Sequence, residues 1–149
     1  MNLKEALIKE CENFIENKLK TINDTISSNQ QSLQSETKSS AGDKHETGRA
    51  MLQLEIEKAG KQLSSVQKMK ETLSKIDIAN TSTKVHLGSI IYTNNVNYFI
   101  SIPAGELITP TEKYYAVSPY SPIGKLLLGK QKNDDIYFNK IKIKLLYLE

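Results

Sequence analysis

The sequence contains little cysteine, no tryptophan and few prolines, and each scarcity excludes something. Cys11 is the only cysteine, so no disulfide can form within the chain. No proline occurs as far as Ile78, which leaves the first half of the chain free to form long helices. No apolar run approaches the roughly 18 residues that a membrane-spanning helix needs. These absences argue against a disulfide-rich scaffold and a transmembrane protein.

The charges are nearly balanced, with 20 basic and 17 acidic residues and a net charge of +3. Such a balance is not typical of proteins that wrap nucleic acid or lie on a membrane, so any nucleic-acid role should be local or indirect. The first residues, MNLKEALIKE, lack the apolar core and the cleavage site of a signal peptide. We expect a soluble, cytoplasmic protein of one domain or two small ones, with no membrane partner.

Apolar residues in the first half recur three and four positions apart, which is the spacing of a helix face. A broad stripe that includes Cys11 as a small apolar residue narrows into a heptad-like seam of Leu19, Ile22, Ile26 and Leu33. A second seam contains Leu52, Ile56, Ala59, Leu63, Val66 and Leu73.

The two seams mirror each other, because pairs such as Leu33 with Leu52 and Leu19 with Val66 have residue numbers that add up to 85. We predict helices over about residues 3–36 and 46–77 that pair as an antiparallel coiled coil. Asn29 occupies a seam position, where a polar residue lowers stability but helps to fix the register.

From Lys84 onward, β-branched and aromatic runs indicate strands. Five are predicted, over residues 84–93, 96–102, 113–118, 135–138 and 139–148, with a hairpin turn at Asn94 and Asn95. In the last strand the residue types alternate, so one set should face the core and the lysines should face solvent. The predicted core set is Ile141, Ile143 and Leu145, and the predicted solvent set is Lys140, Lys142 and Lys144.

A short helix is predicted within SPIGKLLLGK, residues 121–130. Ser121 suits the N-cap, Pro122 suits the first helical position and Gly129 suits the stop. The second half is therefore predicted to be a small antiparallel sheet with one helix, joined to the hairpin by the linker IDIANTSTK.

Two carboxylates lie where the predicted hairpin bends, in SSAGDKHETGRAML, residues 39–52. Asp43 followed three residues later by Glu46 is a variant of the capping box, with Asp43 or Thr47 as the cap of the second helix. The alternative is that the bend is the working end of the molecule. His45, between the two acids, is interpreted as a solvated loop residue.

The segment VSPYSPIGKLLLGKQKNDD, residues 117–135, closely resembles the C-terminal signature of Gre-type transcript cleavage factors, the GreA and GreB family of transcription elongation factors. That signature has a strand, an SP-[IL]-G-[KR] turn, a short helix and an LGK run, and the resemblance extends over nearly the whole chain. It implies an α+β fold. An N-terminal antiparallel coiled coil (1–78, with an acidic tip near 42–46) would precede an FKBP-like antiparallel β-domain with one short helix (79–149).

The resemblance also implies a function. The coiled coil of the family enters the secondary channel of RNA polymerase, and Gly42, Asp43 and Glu46 match its G-D-x-x-E element. The two acids would share a second Mg²⁺ with the polymerase and promote hydrolysis at the 3′ end of backtracked nascent RNA. On this interpretation the protein is not itself an enzyme and has no cofactor of its own. Ser121 and Pro122 would belong to the polymerase-docking surface.

Other functions stay open. The family continues after the second acid with an asparagine and an aromatic residue, where this chain has Thr47, Gly48 and Arg49. One alternative is therefore a secondary-channel regulator that does not stimulate cleavage. An FKBP-like isomerase is disfavoured, because the chain has no tryptophan and only three phenylalanines, including Phe14 in the coiled coil. A purely structural coiled-coil adaptor is the remaining alternative.

Overall fold

A computed structural model describes residues 2–38 and 43–149, and the side chains of residues 2–35 and 47–149. Two long helices, α1 (Leu3–Lys38) and α2 (Asp43–Ser74), form the N-terminal helical hairpin. Asn2 caps α1, because its Oδ1 accepts a hydrogen bond of 2.8 Å from the backbone N–H of Glu5. Within the described residues, neither helix has a stretch long and apolar enough to cross a membrane.

Burial along the hairpin confirms both predicted seams. In residues 15–35 and 47–68, the side chains that are not exposed recur three and four residues apart. They are Ile15, Leu19, Ile22, Ile26, Asn29, Leu33, Gly48, Leu52, Ile56, Ala59, Leu63 and Val66. The residue-by-residue pairing of Leu33 with Leu52 stays a prediction.

The ends of α2 differ slightly from the prediction. The helix already includes Asp43, so Thr47 lies in its second turn and is not its N-cap. At the other end, regular helix stops at Ser74, whose hydroxyl donates a 2.7 Å hydrogen bond to the carbonyl of Glu71. The next backbone hydrogen bonds have the tighter spacing of a final 3₁₀ turn.

The second half forms a six-stranded sheet with one short helix, which confirms the predicted α+β class. Along the chain the elements are β1 (Ile90–Thr93), β2 (Asn97–Ile100), β3 (Gly105–Ile108), β4 (Lys113–Val117), α3 (Pro122–Leu127), β5 (Asp135–Phe138) and β6 (Ile141–Leu148). The strand order is β3-β4-β2-β1-β6-β5, and the predicted hairpin between β1 and β2 is present.

The sheet is not wholly antiparallel, and the sequence analysis missed one strand. β3 has the residues GELI, of which only Leu107 is buried, so it lacks the apolar alternation that marks a strand. β3 pairs antiparallel with β4 over four residue pairs. β4 then lies between β3 and β2 and runs parallel to β2.

The first predicted strand began too early, at Lys84 instead of Ile90. Gly88 has a φ of +94°, and the backbone N–H of Ser89 donates to the carbonyl of His86, so a turn precedes β1. The backbone of Val85 bonds instead to the loop after α3, at Gly129 and Lys130. The missed signal was Gly88, because glycine supplies the positive φ that ends an extended run.

The last predicted strand also began too early. Asn139 and Lys140 both have positive φ and form the turn between β5 and β6. Ile141, the first residue after this turn, is 54% exposed, so its predicted place in the core is wrong. It pairs with Phe138 directly beside this turn, whereas Ile143 and Leu145 are buried as predicted. The three lysines at positions 140, 142 and 144 are exposed, also as predicted.

Both faces of the sheet contain buried side chains. One face packs with α3 in a cluster of Val85, Ile91, Tyr98, Ile100, Ile123, Leu127, Ile136, Ile143 and Leu145. Ile90 and Phe99 are cross-strand partners on the opposite face, because adjacent strand residues point to opposite sides. Near them, the Sγ of buried Cys11 lies 3.6 Å from the Oγ of Ser101.

The chain divides into two compact units. One is the hairpin segment Ile15–Lys68, and the other combines Met1–Phe14 with Met69–Glu149. The second, here called the sheet unit, therefore contains the start of α1 and the end of α2 in addition to the sheet. The prediction divided the chain once, between residues 78 and 79. The compact units instead divide it twice, after Phe14 and after Lys68.

Candidate functional site

The predicted acidic pair lies at the start of α2, where the backbone from Asp43 to Glu46 is helical. Gly42 and the side chains of Asp43 and Glu46 lie outside the described residues, so the carboxylate pair and its Mg²⁺ stay predictions. Among the described residues, no group of three or more histidine, cysteine, aspartate or glutamate side chains could hold a metal ion.

Two exposed apolar side chains follow the acidic pair along α2. Met51 is 64% exposed and Leu54 is 63% exposed. They are three residues apart on a helix and therefore neighbours, and they lie off the half-buried seam that contains Leu52 and Ile56. The sequence analysis missed them because it considered only the apolar positions that repeat at the seam spacing.

The turn into α3 is built around the side chain of Ser121. Its Oγ donates a 2.7 Å hydrogen bond to the carbonyl of Ser118 and accepts one of 3.1 Å from the backbone N–H of Gly124. Ser121 is therefore the N-cap, with extended backbone angles, and Pro122 is the first residue of the helix, as predicted.

Gly124 is required by the close approach of two backbone segments. A Cβ at this position would lie 2.0 Å from the carbonyl oxygen of Ser118, far inside van der Waals contact. Any larger residue would therefore push α3 away from the turn that precedes it. This contact gives a physical reason for the glycine in the SPIGK segment. Gly129, with a φ of +79°, follows the C-cap Leu128, so the predicted stop is also confirmed.

The residues around α3 divide into an anchored side and an exposed side. Ile123 and Leu127 are buried in the cluster that packs on the sheet. The exposed side combines apolar groups with one basic group, and its members are Tyr120, Pro122, Lys125, Leu126 and Leu128. Tyr120 is the most accessible of the large apolar residues here, at 74% exposure. Of the two predicted docking residues, Pro122 is exposed, whereas the hydroxyl of Ser121 bonds within the turn.

A chain of hydrogen-bonded side chains lies on the sheet face opposite α3. The hydroxyl of Tyr114 donates to the Oε2 of Glu112 at 3.1 Å and lies 3.3 Å from the hydroxyl of Tyr92. The Oε2 of Glu149 accepts from Tyr92 at 3.2 Å, and Asn97 donates to Glu112. Burial raises the pKa of both Tyr92 and Tyr114, so the two phenols are harder to ionise than an exposed tyrosine.

Buried Lys4 is one of the residues that line a cavity of about 460 Å³ in the sheet unit. Burial lowers the pKa of Lys4, and the nearby carboxylates of Glu149 and Asp77 oppose that shift. Tyr147 is the only aromatic residue among the side chains that line the cavity. The aromatic cluster expected of an FKBP-like isomerase is thus not found in this cavity.

Comparisons with known proteins find similar solved structures, two of which are described here. No protein-family model and no curated protein matches the chain. The crystal structure of "GreA factor homolog 1 (Gfh1) protein of Thermus thermophilus" is 16% identical, covers 95% of this chain and 94% of its own, and has a TM-score of 0.35. A structure of "the transcription factor Gfh1" is 17% identical, covers 95% and 92% respectively, and also has a TM-score of 0.35. A superposition this loose does not by itself establish a family or a function.

Proposed function

We propose that this protein is a Gre-like transcription factor that binds RNA polymerase, inserts its helical hairpin into the secondary channel and stimulates cleavage of backtracked RNA. Asp43 and Glu46 would hold a second Mg²⁺ together with carboxylates of the polymerase, and the metal would activate the attacking water. The hydrolytic activity belongs to the polymerase, and this chain supplies two ligands.

One observation carries the proposal, namely that α2 begins at Asp43. Asp43 and Glu46 are then three residues apart at the start of α2. Side chains at this spacing are neighbours on a helix, which suits two carboxylates that share one cation. The N-terminus of a helix also favours nearby negative charge, so the backbone stabilises the ionised pair before any metal binds.

The geometry of α3 supports the docking part of the proposal. The Ser121 cap and the close contact at Gly124 give physical roles to the residues on which the resemblance to Gre-type factors rests. The same turn keeps Pro122 and Tyr120 at the surface beside Leu126. An exposed apolar surface of this kind suits a protein partner.

The residues after the acidic pair favour a second candidate function. Arg49 is exposed, and Thr47 and Gly48 occupy positions where the family has an asparagine and an aromatic residue. A factor with this sequence can enter the channel without placing the carboxylates productively. In that case the protein is a secondary-channel regulator that modulates transcription without stimulating cleavage.

The decisive experiment is transcript cleavage by a stalled, backtracked elongation complex with purified polymerase from the same organism. We expect the unmodified protein to stimulate cleavage. The double variant Asp43→Asn, Glu46→Gln should remain folded and compete with the unmodified protein for polymerase, yet lose stimulation. Asparagine and glutamine still serve as helix caps, whereas the anionic oxygens that Mg²⁺ requires are gone.

A matched control neutralises two exposed acids elsewhere in the hairpin, Glu12→Gln and Glu16→Gln. This protein should stimulate cleavage at the unmodified rate. If the Asp43→Asn, Glu46→Gln protein also cleaves at that rate, at limiting and at saturating Mg²⁺, the two acids only cap α2 and the catalytic proposal fails. If the unmodified protein binds polymerase but stimulates nothing, the regulator is the better interpretation.

A further inference from the structure

The β5–β6 hairpin contains a surface that belongs neither to the acidic pair nor to α3. Tyr137 of β5 is the cross-strand partner of Lys142 of β6, and Lys144 lies two residues further along β6. Tyr147 follows on the same strand, and its ring centre is 5.9 Å from that of Tyr92. These four residues, Tyr137, Lys142, Lys144 and Tyr147, are here called the lysine–tyrosine surface.

Strand alternation places all four residues on one face. Ile136 and Ile143 are buried in the cluster on the α3 side, so their neighbours Tyr137, Lys142 and Lys144 point to the opposite side. The register shifts by one residue near Leu146, which returns Tyr147 to the face of Tyr92 and Tyr114. The four side chains thus lie on one face along β5 and β6, and Asp135, the cross-strand partner of Lys144, lies on the same face.

The lysine–tyrosine surface is accessible to solvent. Tyr137 is 67% exposed and Tyr147 is 50% exposed, although large aromatic side chains are usually buried. Both lysines are exposed, and the Nζ of Lys142 lies 3.6 Å from a carboxylate oxygen of Asp135. An ion pair this exposed is weak, so a phosphate can displace the carboxylate.

Charge is concentrated around this surface. Residues 130–149, which include all four residues of the surface, contain five lysines, two aspartates and one glutamate, a net charge of +2. The surface itself combines two lysines two residues apart, about 7 Å along a strand, with a tyrosine ring at each end. Ammonium groups attract phosphates as point charges, and exposed rings stack on bases.

We propose that the lysine–tyrosine surface binds a single strand of RNA without sequence preference. Duplex bases are already stacked and cannot reach the two rings, whereas the unstacked bases of a single strand can. An acidic protein would satisfy the lysines but would leave the rings unexplained. The choice of RNA over DNA rests on the proposed function, because the RNA transcript is the strand on which a cleavage factor acts.

The test is fluorescence anisotropy with the full-length protein and a labelled oligouridylate of about 16 nucleotides, the upper end of known single-strand site sizes. No polymerase is present, so the result does not depend on the cleavage assay. We expect Lys142→Gln, Lys144→Gln to weaken binding about tenfold or more. It should also reduce the slope of log affinity against log salt by about 1.4, which corresponds to two lost phosphate contacts.

Two variants of the same tyrosine separate stacking from charge. Tyr137→Leu should weaken binding about fivefold or more, while Tyr137→Phe keeps the ring and should bind as the unmodified protein does. Lys113→Gln, a lysine whose side chain is 66% exposed on β4, is the matched charge control and should have no effect. Thermal unfolding of each variant shows whether the fold survives.

The proposal fails if the double lysine variant binds within twofold of the unmodified protein, or if Lys113→Gln weakens binding equally. Competition by polyglutamate as effective as that of oligouridylate would instead identify a surface for acidic polypeptides. Equal affinity for oligodeoxythymidylate would overturn the assignment to RNA. Asp43→Asn, Glu46→Gln should bind oligouridylate normally, so failure of the cleavage proposal and failure of this one give different results.

Discussion

The hairpin unit and the sheet unit bury their apolar side chains in different ways. Among the described residues 15–68, only Ile15, Ile22, Ala59 and Val66 are buried, all in one seam between two helices. The sheet has buried residues on both faces, and one face is further covered by α3. The hairpin is therefore stabilised mainly by small, repeated contributions from half-buried side chains, whereas the sheet unit encloses most of the buried apolar residues, each of which contributes more.

The largest expected effect is in the sheet core. Leu145→Ala should lower the free energy of unfolding by about 2–5 kcal/mol, because a fully buried leucine leaves a cavity when it is truncated. Leu63→Ala, in the half-buried seam, should cost only about 1 kcal/mol, because less apolar area is lost. Urea denaturation followed by circular dichroism measures both. Equal losses would contradict the difference between the units.

The next comparison uses one glycine from each unit. Gly124→Ala should lower the free energy of unfolding by roughly 3 kcal/mol, because the new Cβ would collide with the backbone oxygen of Ser118. Gly60→Ala should raise it by about 0.5–1 kcal/mol, because Gly60 lies within α2 with nothing within 4 Å of an added Cβ. Thermal denaturation shows whether each variant is less or more stable than the unmodified protein. If Gly124→Ala left the free energy of unfolding unchanged, α3 could move away from Ser118 without a loss of stability.

A smaller effect is expected where the seam contains a polar residue. Asn29→Leu should stabilise the hairpin by about 1 kcal/mol, since an apolar side chain replaces a half-buried amide. It should also weaken the register. The register is measured with Leu33→Cys and Leu52→Cys in a Cys11→Ala background, where the predicted pairing allows a disulfide. We expect the two introduced cysteines to form a disulfide rapidly, and more slowly once Asn29→Leu is added. No disulfide formation at all would refute the pairing of residues 33 and 52.

The smallest effect concerns alkaline pH and should be confined to the sheet unit. All seven tyrosines and Cys11 belong to that unit. Burial raises the pKa of the Cys11 thiol from 9.0 to about 11, and it raises the pKa of Tyr92 and Tyr114 above 10.0. The unfolded chain then loses these protons first as the pH rises, so the stability they contribute is complete below pH 9 and declines above it.

For the thiol alone this amounts to about 1 kcal/mol at pH 10. Cys11→Ala should therefore show a shallower loss of stability between pH 8 and pH 10 than the unmodified protein, even though its stability at pH 7 is lower. Denaturation at several pH values measures the slope. An unchanged slope would show that Cys11 does not contribute to it.

The sequence predicted the hairpin well because its seams repeat, so that each apolar position supports the assignment of the next. It predicted α3 equally well, since Ser121, Pro122 and Gly129 each have a specific role at a helix end. It failed where the structure depends on distant partners. β3 has almost no apolar pattern and exists because β4 offers it an edge. Ile141 is exposed because β1 pairs with β6 only as far as Leu145 and does not reach Ile141.

For the candidate site, spacing identified two acids but could not choose between a cap and a metal ligand. Both roles use carboxylate oxygens at positions i and i+3, and the choice depends on groups that a partner supplies. The sequence predicted only the lysines of the lysine–tyrosine surface. The alternation of lysines along β6 predicted their exposure, but the register with β5 and the shift near Leu146 decide which tyrosines join them.

The single buried thiol makes the native chain a convenient scaffold for chemical probes. Cys11 is fully enclosed and its thiol resists ionisation, so maleimide reagents at neutral pH should leave the unmodified protein unlabelled. A cysteine introduced at exposed Arg49 would then be the sole reactive position, without prior removal of the natural one. A photo-crosslinker or a tethered iron chelate attached there would report, residue by residue, which part of a partner lies beside the start of α2.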